Sequence, residues 1–253
     1  MLSAFLELNV FHFLLVFARL GAALMLLPGF AGELVSARLR LMIALTTTFV
    51  ILPVVAPALP PPPLSAWHLV LLFIGEVTIG VFFGVVVQGL MTALNLAGNF
   101  IGYQVGLTNA FVFDPVTEQQ SALLTGFLAN LAVVMIFITD THHLMLHGIV
   151  DSYAVFIPGQ VPAFGDMSQT LIQGLGASFV LGMKLAAPLF VFSILFFSTL
   201  GLLSRMLPQM QVFFIALPMQ LFTGLGLLMI TLPAIMLYFM TYLQGGISAF
   251  LGR

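Results

Sequence analysis

The sequence predicts an all-α fold: a membrane-associated bundle of long, kinked apolar helices, with about six hydrophobic segments in one domain over residues 1–253. Three observations predict it. Charged residues are 6% of the 253, against about 25% in an ordinary soluble domain. Hydrophobic residues reach 61%, with 26 Phe, more apolar area than a soluble fold of this size keeps from water. Formal charge is also missing between Arg40 and Glu76, between Glu76 and Asp114, and between Arg205 and Arg253. This composition excludes a soluble enzyme, a disordered chain and a nucleic-acid binder, which would need a basic field. With no cysteine, disulfides, thiolate catalysis and Cys-ligated zinc are excluded as well.

Roughly 20 apolar residues cross a bilayer core at 1.5 Å rise per residue, and the breakers cut the chain into six such runs. The first, about Leu8–Leu27, ends at Pro28-Gly29. It lacks a basic leader and carries Glu7, so it is expected to stay in the mature protein rather than be cleaved as a signal peptide. The second, about Leu39–Val55, is followed by Pro57 and by Pro60-Pro61-Pro62-Pro63, a stiff extended linker. The third runs from about Trp67 to Gly102 and the fourth from about Ser121 to Ser152, with the glycine-bearing polar stretch 106–120 between them. Pro158, Gly159, Pro162 and Gly165 precede the fifth, about Leu171–Leu203, and the sixth covers about Val212–Leu243. Pro188, Pro218 and Pro233 lie inside the last two and should kink them. Arg38, Arg40 and Arg205 fall in loops on one side, which the positive-inside rule assigns to the cytoplasm; Arg253 has the opposite preference.

Arg19, Glu76 and Lys184 each fall inside an apolar helix, where an ionisable group costs about 2.5–3.5 kcal/mol on insertion scales. Either they serve a proton or ion path, or they are buried structural charges, for instance an Arg19–Glu76 pair that fixes helix register. The structural reading is adopted, because only Glu76 is a plausible proton carrier. Asp140, His143, His147 and Asp151 follow spacings of three and four, which would place them on one helix face. Two His at i and i+4 can chelate zinc, but the Glu of an H-E-x-x-H site is absent. A polar helix end is the reading taken, with no metal.

Gly80 and Gly84, and then Gly98, Gly102 and Gly106, recur every four residues. Such spacing lets another backbone approach where lipid supplies no hydrophobic drive, in an ordinary bundle or in a multi-subunit helical body. After the ladder come Phe111, Val112 and Phe113, then Asp114-Pro115. Apolar bulk in a polar interruption fits a segment turned into a cavity, since irregular backbone survives at membrane depth only inside protein. A plain loop with exposed Phe fits the residues equally well.

Four segments carry a family likeness. They are Phe17-Ala18-Arg19-Leu20-Gly21 running to Leu27-Pro28-Gly29-Phe30 and Ala37–Arg40; Gly98-Asn99-Phe100-Ile101-Gly102-Tyr103-Gln104-Val105-Gly106-Leu107 with Ala110 and Asp114-Pro115; Thr141-His142-His143-Leu144 with Asp151-Ser152-Tyr153 and Ile157-Pro158-Gly159; and Arg205-Met206-Leu207-Pro208-Gln209-Met210-Gln211-Val212-Phe213. In this order the chain resembles the FliR family of the flagellar type III export gate and its injectisome relatives. The resemblance implies assembly with FliP and FliQ into a conical helical channel for unfolded export substrates. FlhB would wrap the cytoplasmic mouth and FlhA would stand nearby, in the inner membrane at the flagellar basal body. It implies that residues about 106–120, with Gly106, Phe111, Val112, Phe113, Asp114 and Pro115, form a plug. It implies a FliP-like N-terminal part, a FliQ-like hairpin over about 171–245, and a cytoplasmic turn at Arg205, Pro208 and Gln209. Much of such a body stands above the bilayer plane, and the His-His pair has no metal role.

No phosphate-binding glycine loop with Lys is present, so the expected protein is a non-enzymatic, cofactor-free gate subunit. The expected contacts are membrane lipid, the partner subunits and the export substrate, with no nucleic acid. The alternative is a proton-coupled solute transporter using Glu76, Arg19 and Lys184.

Overall fold

Seven α-helices and one 3-10 turn follow one another in the computed structural model, which describes residues 2–32, 35–107, 120–160, 162–206 and 212–250. They are α1 (Leu2–Leu24), α2 (Ala37–Val55), the 3-10 turn Ala56–Ala58, α3 (Ala66–Val105), α4 (Gln120–Ile138), α5 (Thr141–Val155), α6 (Phe164–Met206) and α7 (Val212–Phe250). Local chemistry sets the ends. Gly29 and Gly32 take positive φ in the turn after α1, a conformation that side chains with a Cβ avoid. Ser36 caps α2, its Oγ accepting from the Leu39 N–H at 3.4 Å. The prolines after Leu59 continue as extended chain until α3 begins. Gly106, at φ 86°, closes α3, and its N–H donates to the Tyr103 carbonyl at 3.2 Å.

Among the described residues four helical stretches are long and apolar enough to cross a membrane: Ala37–Ala58, Ala66–Val105, Phe164–Met206 and Ala216–Phe250. Leu123–Ile138 and Thr141–Val155 would together make a fifth, bent by 77°. The apolar part of α1, Val10–Leu24, is shorter. The segment Ser121–Ser152, read from the sequence as one helix, is therefore two. Asp140 causes the break: it sits in the left-handed region at φ 56°, which a short polar side chain tolerates. The carbonyl of Asp140 accepts from the His143 N–H at 3.0 Å to start α5, and Thr139 and Thr141 join hydroxyls across it at 2.8 Å. Pro188, Pro218 and Pro233, in contrast, lie within α6 and α7 without ending them.

The packing divides into two compact units, each drawn from separate stretches of chain. The first comprises Met1–Leu90, Ile136–Gly174 and Leu243–Arg253; the second comprises Met91–Met135 and Leu175–Tyr242. In the first unit α1 and the N-terminal part of α3 run in the same direction and meet at four-residue intervals of α3. A methyl on Gly80 would strike the Arg19 carbonyl, one on Gly84 would come 2.5 Å from Leu26 Cβ, and Gln88 Nε2 donates to the Leu26 carbonyl at 2.7 Å. The proline linker is tied down by His12, whose Nε2 donates to the Pro60 carbonyl at 3.0 Å.

In the second unit the C-terminal part of α3 is the hub. Gly98 admits Thr125 of α4, Gly182 of α6 admits the Ala93 backbone, and Gly224 of α7 admits Val105. Phe100 packs between Phe179 and Phe190, with ring centroids at 6.4 and 5.6 Å. Ser178 and Tyr242 share a hydrogen bond of 3.0 Å, and Gln220 Nε2 donates to the Gln104 carbonyl at 3.0 Å, so α7 is tied to both α6 and α3. The glycine ladder is interrupted at Gly102. A methyl on Gly102 would meet nothing within 4 Å. Four residues advance about 400° around a helix of 3.6 residues per turn, so each step drifts about 40° off the packed face.

The expected consequence is a contrast between two alanines. Gly182→Ala would set Cβ 2.8 Å from the Ala93 carbonyl oxygen and should destabilise by about 1–3 kcal/mol. Gly102→Ala should be neutral or stabilising by up to about 1 kcal/mol within the chain. Thermal unfolding of the full chain in detergent measures both, and the reverse ranking would contradict the packing described.

Candidate functional site

The most constrained polar group of the first unit is Arg19, carried by α1 and buried with the carboxylate of Glu76 on α3. The pair is bidentate: Nε donates to Glu76 Oε2 at 2.6 Å and Nη2 donates to Oε1 at 3.0 Å. Nη2 also donates to the Phe156 carbonyl at 3.0 Å, just beyond the end of α5, and Nη1 donates to Ser152 Oγ at 3.2 Å. The Ser152 hydroxyl in turn donates to the Ile149 carbonyl at 2.6 Å. The guanidinium lies over the Tyr153 ring, 3.8 Å from its centroid, the stacked geometry that favours Arg over Lys. Four of the five guanidinium N–H groups are thus spent, and three helices are joined.

This arrangement needs Gly80. One turn beyond Glu76 on α3, it lets the α1 backbone approach at Arg19 and Ala22. Charge pairing and backbone contact are therefore one feature, in which the glycine brings the helices close enough for the bidentate geometry. Ser152, Tyr153 and Phe156 were not singled out in the sequence as partners of Arg19. The motif Asp151-Ser152-Tyr153 was visible only as part of the family likeness, and nothing local in it points to an arginine 133 residues away.

The other predicted site residues divide as follows. Lys184 is exposed on α6 in the second unit, which corrects its reading as a buried charge. In α6 the neighbouring Leu181, Gly182 and Leu185 face inward while Met183 and Lys184 face out. Gly106 ends α3 against the Gln220 side chain. Phe111, Val112, Phe113, Asp114 and Pro115 lie outside the described residues, as do Pro208 and Gln209. Arg205 is exposed in the last turn of α6, where a cation complements the helix dipole.

The polar end of α4–α5 groups differently from the predicted face. Asp140, His142 and His143 have potential ligand atoms within 4.8 Å of one another, while His147 and Asp151 are not part of that cluster. The His142 ring packs between Phe137 and His143, with centroids at 5.0 and 4.1 Å. His143 Nδ1 and Asp140 Oδ1 are 3.6 Å apart. The three rings pack tilted against one another, and we assign no metal there.

Four helical stretches of membrane-crossing length among the described residues, with the shorter α1 and α5 joined to α3 through a buried Arg–Glu node, define a polytopic helical membrane protein. The profile of the bacterial export proteins, family 1, matches residues 10–246. The chain is 37% identical over 211 residues to the flagellar biosynthetic protein FliR of Caulobacter vibrioides, covering 83% of this chain and 84% of that one. It is 30% identical over 213 residues to FliR of Bacillus subtilis, covering 83% and 81%, and 28% identical over 200 residues to FliR of Escherichia coli, covering 78% and 75%. The chain belongs to the bacterial export proteins, family 1, as a member of the FliR family. It is a membrane-embedded component of the flagellar export apparatus.

Glu76→Ala should cost about 3–5 kcal/mol, because it leaves a buried guanidinium unpaired. The double variant Arg19→Met/Glu76→Met should recover most of that loss. Membrane-inserted protein level and thermal unfolding of the purified chain measure both. A double variant as unstable as Glu76→Ala alone would show that the pair is not the source of the cost.

Proposed function

We propose that this chain is a non-enzymatic subunit of the flagellar protein-export gate. It would assemble with FliP and FliQ in the inner membrane at the basal body, contact FlhB and FlhA, and help form the channel for unfolded export substrates. The single observation that carries the assembly is a mismatch between apolar length and bilayer thickness. Leu175 and Met206 are 48% and 79% exposed on the same helix and stand 31 residues apart. At 1.5 Å per residue their separation is about 46 Å, against a hydrocarbon core of about 30 Å. Lipid cannot cover both ends of that surface at ordinary helix tilts. Other helical protein must cover the remainder.

Within the same reading, the segment about 106–120 acts as the plug. Gly106 ends α3 at positive φ, and the apolar bulk of Phe111, Val112 and Phe113 comes soon after it in the sequence. The rival reading, a proton-coupled transporter, is weakened because both Glu76 oxygens are engaged by Arg19 and Lys184 stands in the other unit.

Affinity purification of the full chain from cells should recover FliP and FliQ in one stable complex. A stable lone monomer would overturn the assembly. In that complex, Phe111→Ala/Phe113→Ala should raise resting ion conductance in planar bilayers several-fold. Unchanged conductance would remove the plug.

A further inference from the structure

Lys184 and Arg205 bracket an uninterrupted run of twenty uncharged residues on α6, Leu185–Ser204. At 1.5 Å per residue this run is about 30 Å long, the thickness of a bilayer hydrocarbon core. The residues before it include Asp166, Gln169 and Gln173, which do not belong in hydrocarbon. The two cations thus fall at the two headgroup levels, and Arg205 takes the cytoplasmic one if the positive-inside rule is followed.

The surroundings of Lys184 fit that level. It lines a groove of about 470 Å³ with Val180 and Leu181 of α6 and Tyr238, Thr241 and Tyr242 of α7. Tyrosine is characteristic of the membrane–water interface, with its ring in the apolar zone and its hydroxyl in the headgroups. The Tyr242 hydroxyl is held by Ser178, and Thr241 gives its proton to the Leu237 carbonyl. Among the described residues Lys184 has no ion-pair partner, and Tyr238 is half exposed beside it. The groove therefore offers an ammonium and a phenol as donors, with no anion to meet them. Toward the Arg205 end of the bracketed run, Val191, Ile194 and Leu195 of α6 and Leu237 of α7 are exposed and apolar.

We propose that the Lys184–Tyr238 groove binds the phosphate of a phospholipid headgroup, with the acyl chains lying along the exposed apolar residues below it. The ammonium gives the charge complement, the phenol a second donor, and the adjoining apolar face separates a lipid from a free phosphate ion. Basic grooves between helices at the bilayer boundary recognise headgroups in this way. The assignment depends on the chain being embedded in a membrane and is independent of the plug.

Native mass spectrometry of the purified full chain, with whatever subunits accompany it, titrated with phosphatidylglycerol, tests the site. Lys184→Gln should weaken one lipid-binding event about tenfold, the loss expected for one charge-assisted hydrogen bond. Lys184→Arg should retain it. Equal binding by the wild type and Lys184→Gln would overturn the proposal. Competition by inorganic phosphate or glycerophosphoglycerol as strong as that by the lipid would also overturn it, in favour of a soluble phosphate site. Should Lys184→Gln fail to fold, a photo-crosslinking residue at Val180 reads the occupant in cells. A lipid adduct supports the proposal, and an adduct to another protein subunit overturns it by placing a partner helix in the groove.

Discussion

A positive charge enclosed by apolar helices must bring its own counter-charge and its own hydrogen bonds, and Arg19 organises the first unit around that requirement. Its guanidinium reaches Glu76, Ser152 and the Phe156 carbonyl and lies over Tyr153. Removing a carboxylate from such a node leaves a charge with nothing to neutralise it, whereas an intact pair roughly balances its own desolvation. The pair therefore selects one arrangement of α1, α3 and α5 more than it adds net stability. Any sliding of α1 along α3 would separate Arg19 from Glu76 and move the α1 backbone off Gly80 in the same motion. The ion pair and the glycine contact thus specify the same register.

The second unit solves a different problem. Its helices carry no ion pair among the described residues, and contact is made through glycine. Gly98, Gly182 and Gly224 let α4, α6 and α7 approach α3 to backbone distance, and Phe100 fills the space between Phe179 and Phe190. In lipid, where apolar tails compete with apolar side chains, this close van der Waals contact is what holds helices together. The remaining surface stays apolar: Phe222 and Ile230 are 77% and 79% exposed.

Much of this was legible in the residues. Charge-free runs and Pro/Gly punctuation located the long apolar stretches among the described residues, because at 61% hydrophobic content the few breakers carry most of the information. The close contacts at Gly80, Gly84 and Gly98 followed the four-residue spacing, while Gly102 did not, since the spacing drifts around the helix. The α4–α5 break was misread because Asp140, His143, His147 and Asp151 follow spacings of three and four that fit one face of a continuous helix. Only the left-handed backbone of Asp140 turned that face into a corner. Ser152 and Tyr153 gave no sign of their role, as they contribute a hydroxyl and a ring face, groups too common to flag.

The sequence by itself determined the class of protein and the places of its long apolar stretches, and it required that each ionisable group inside them find a solution. Those properties are set by composition and by local backbone rules, which do not depend on what lies opposite. Only the tertiary structure decided which solution each charge received. Arg19 is enclosed by three helices and neutralised, while Lys184 is left open beside Tyr238. Both are single cations in apolar helices, indistinguishable by local context, and they part ways because burial and pairing depend on residues brought together from distant parts of the chain.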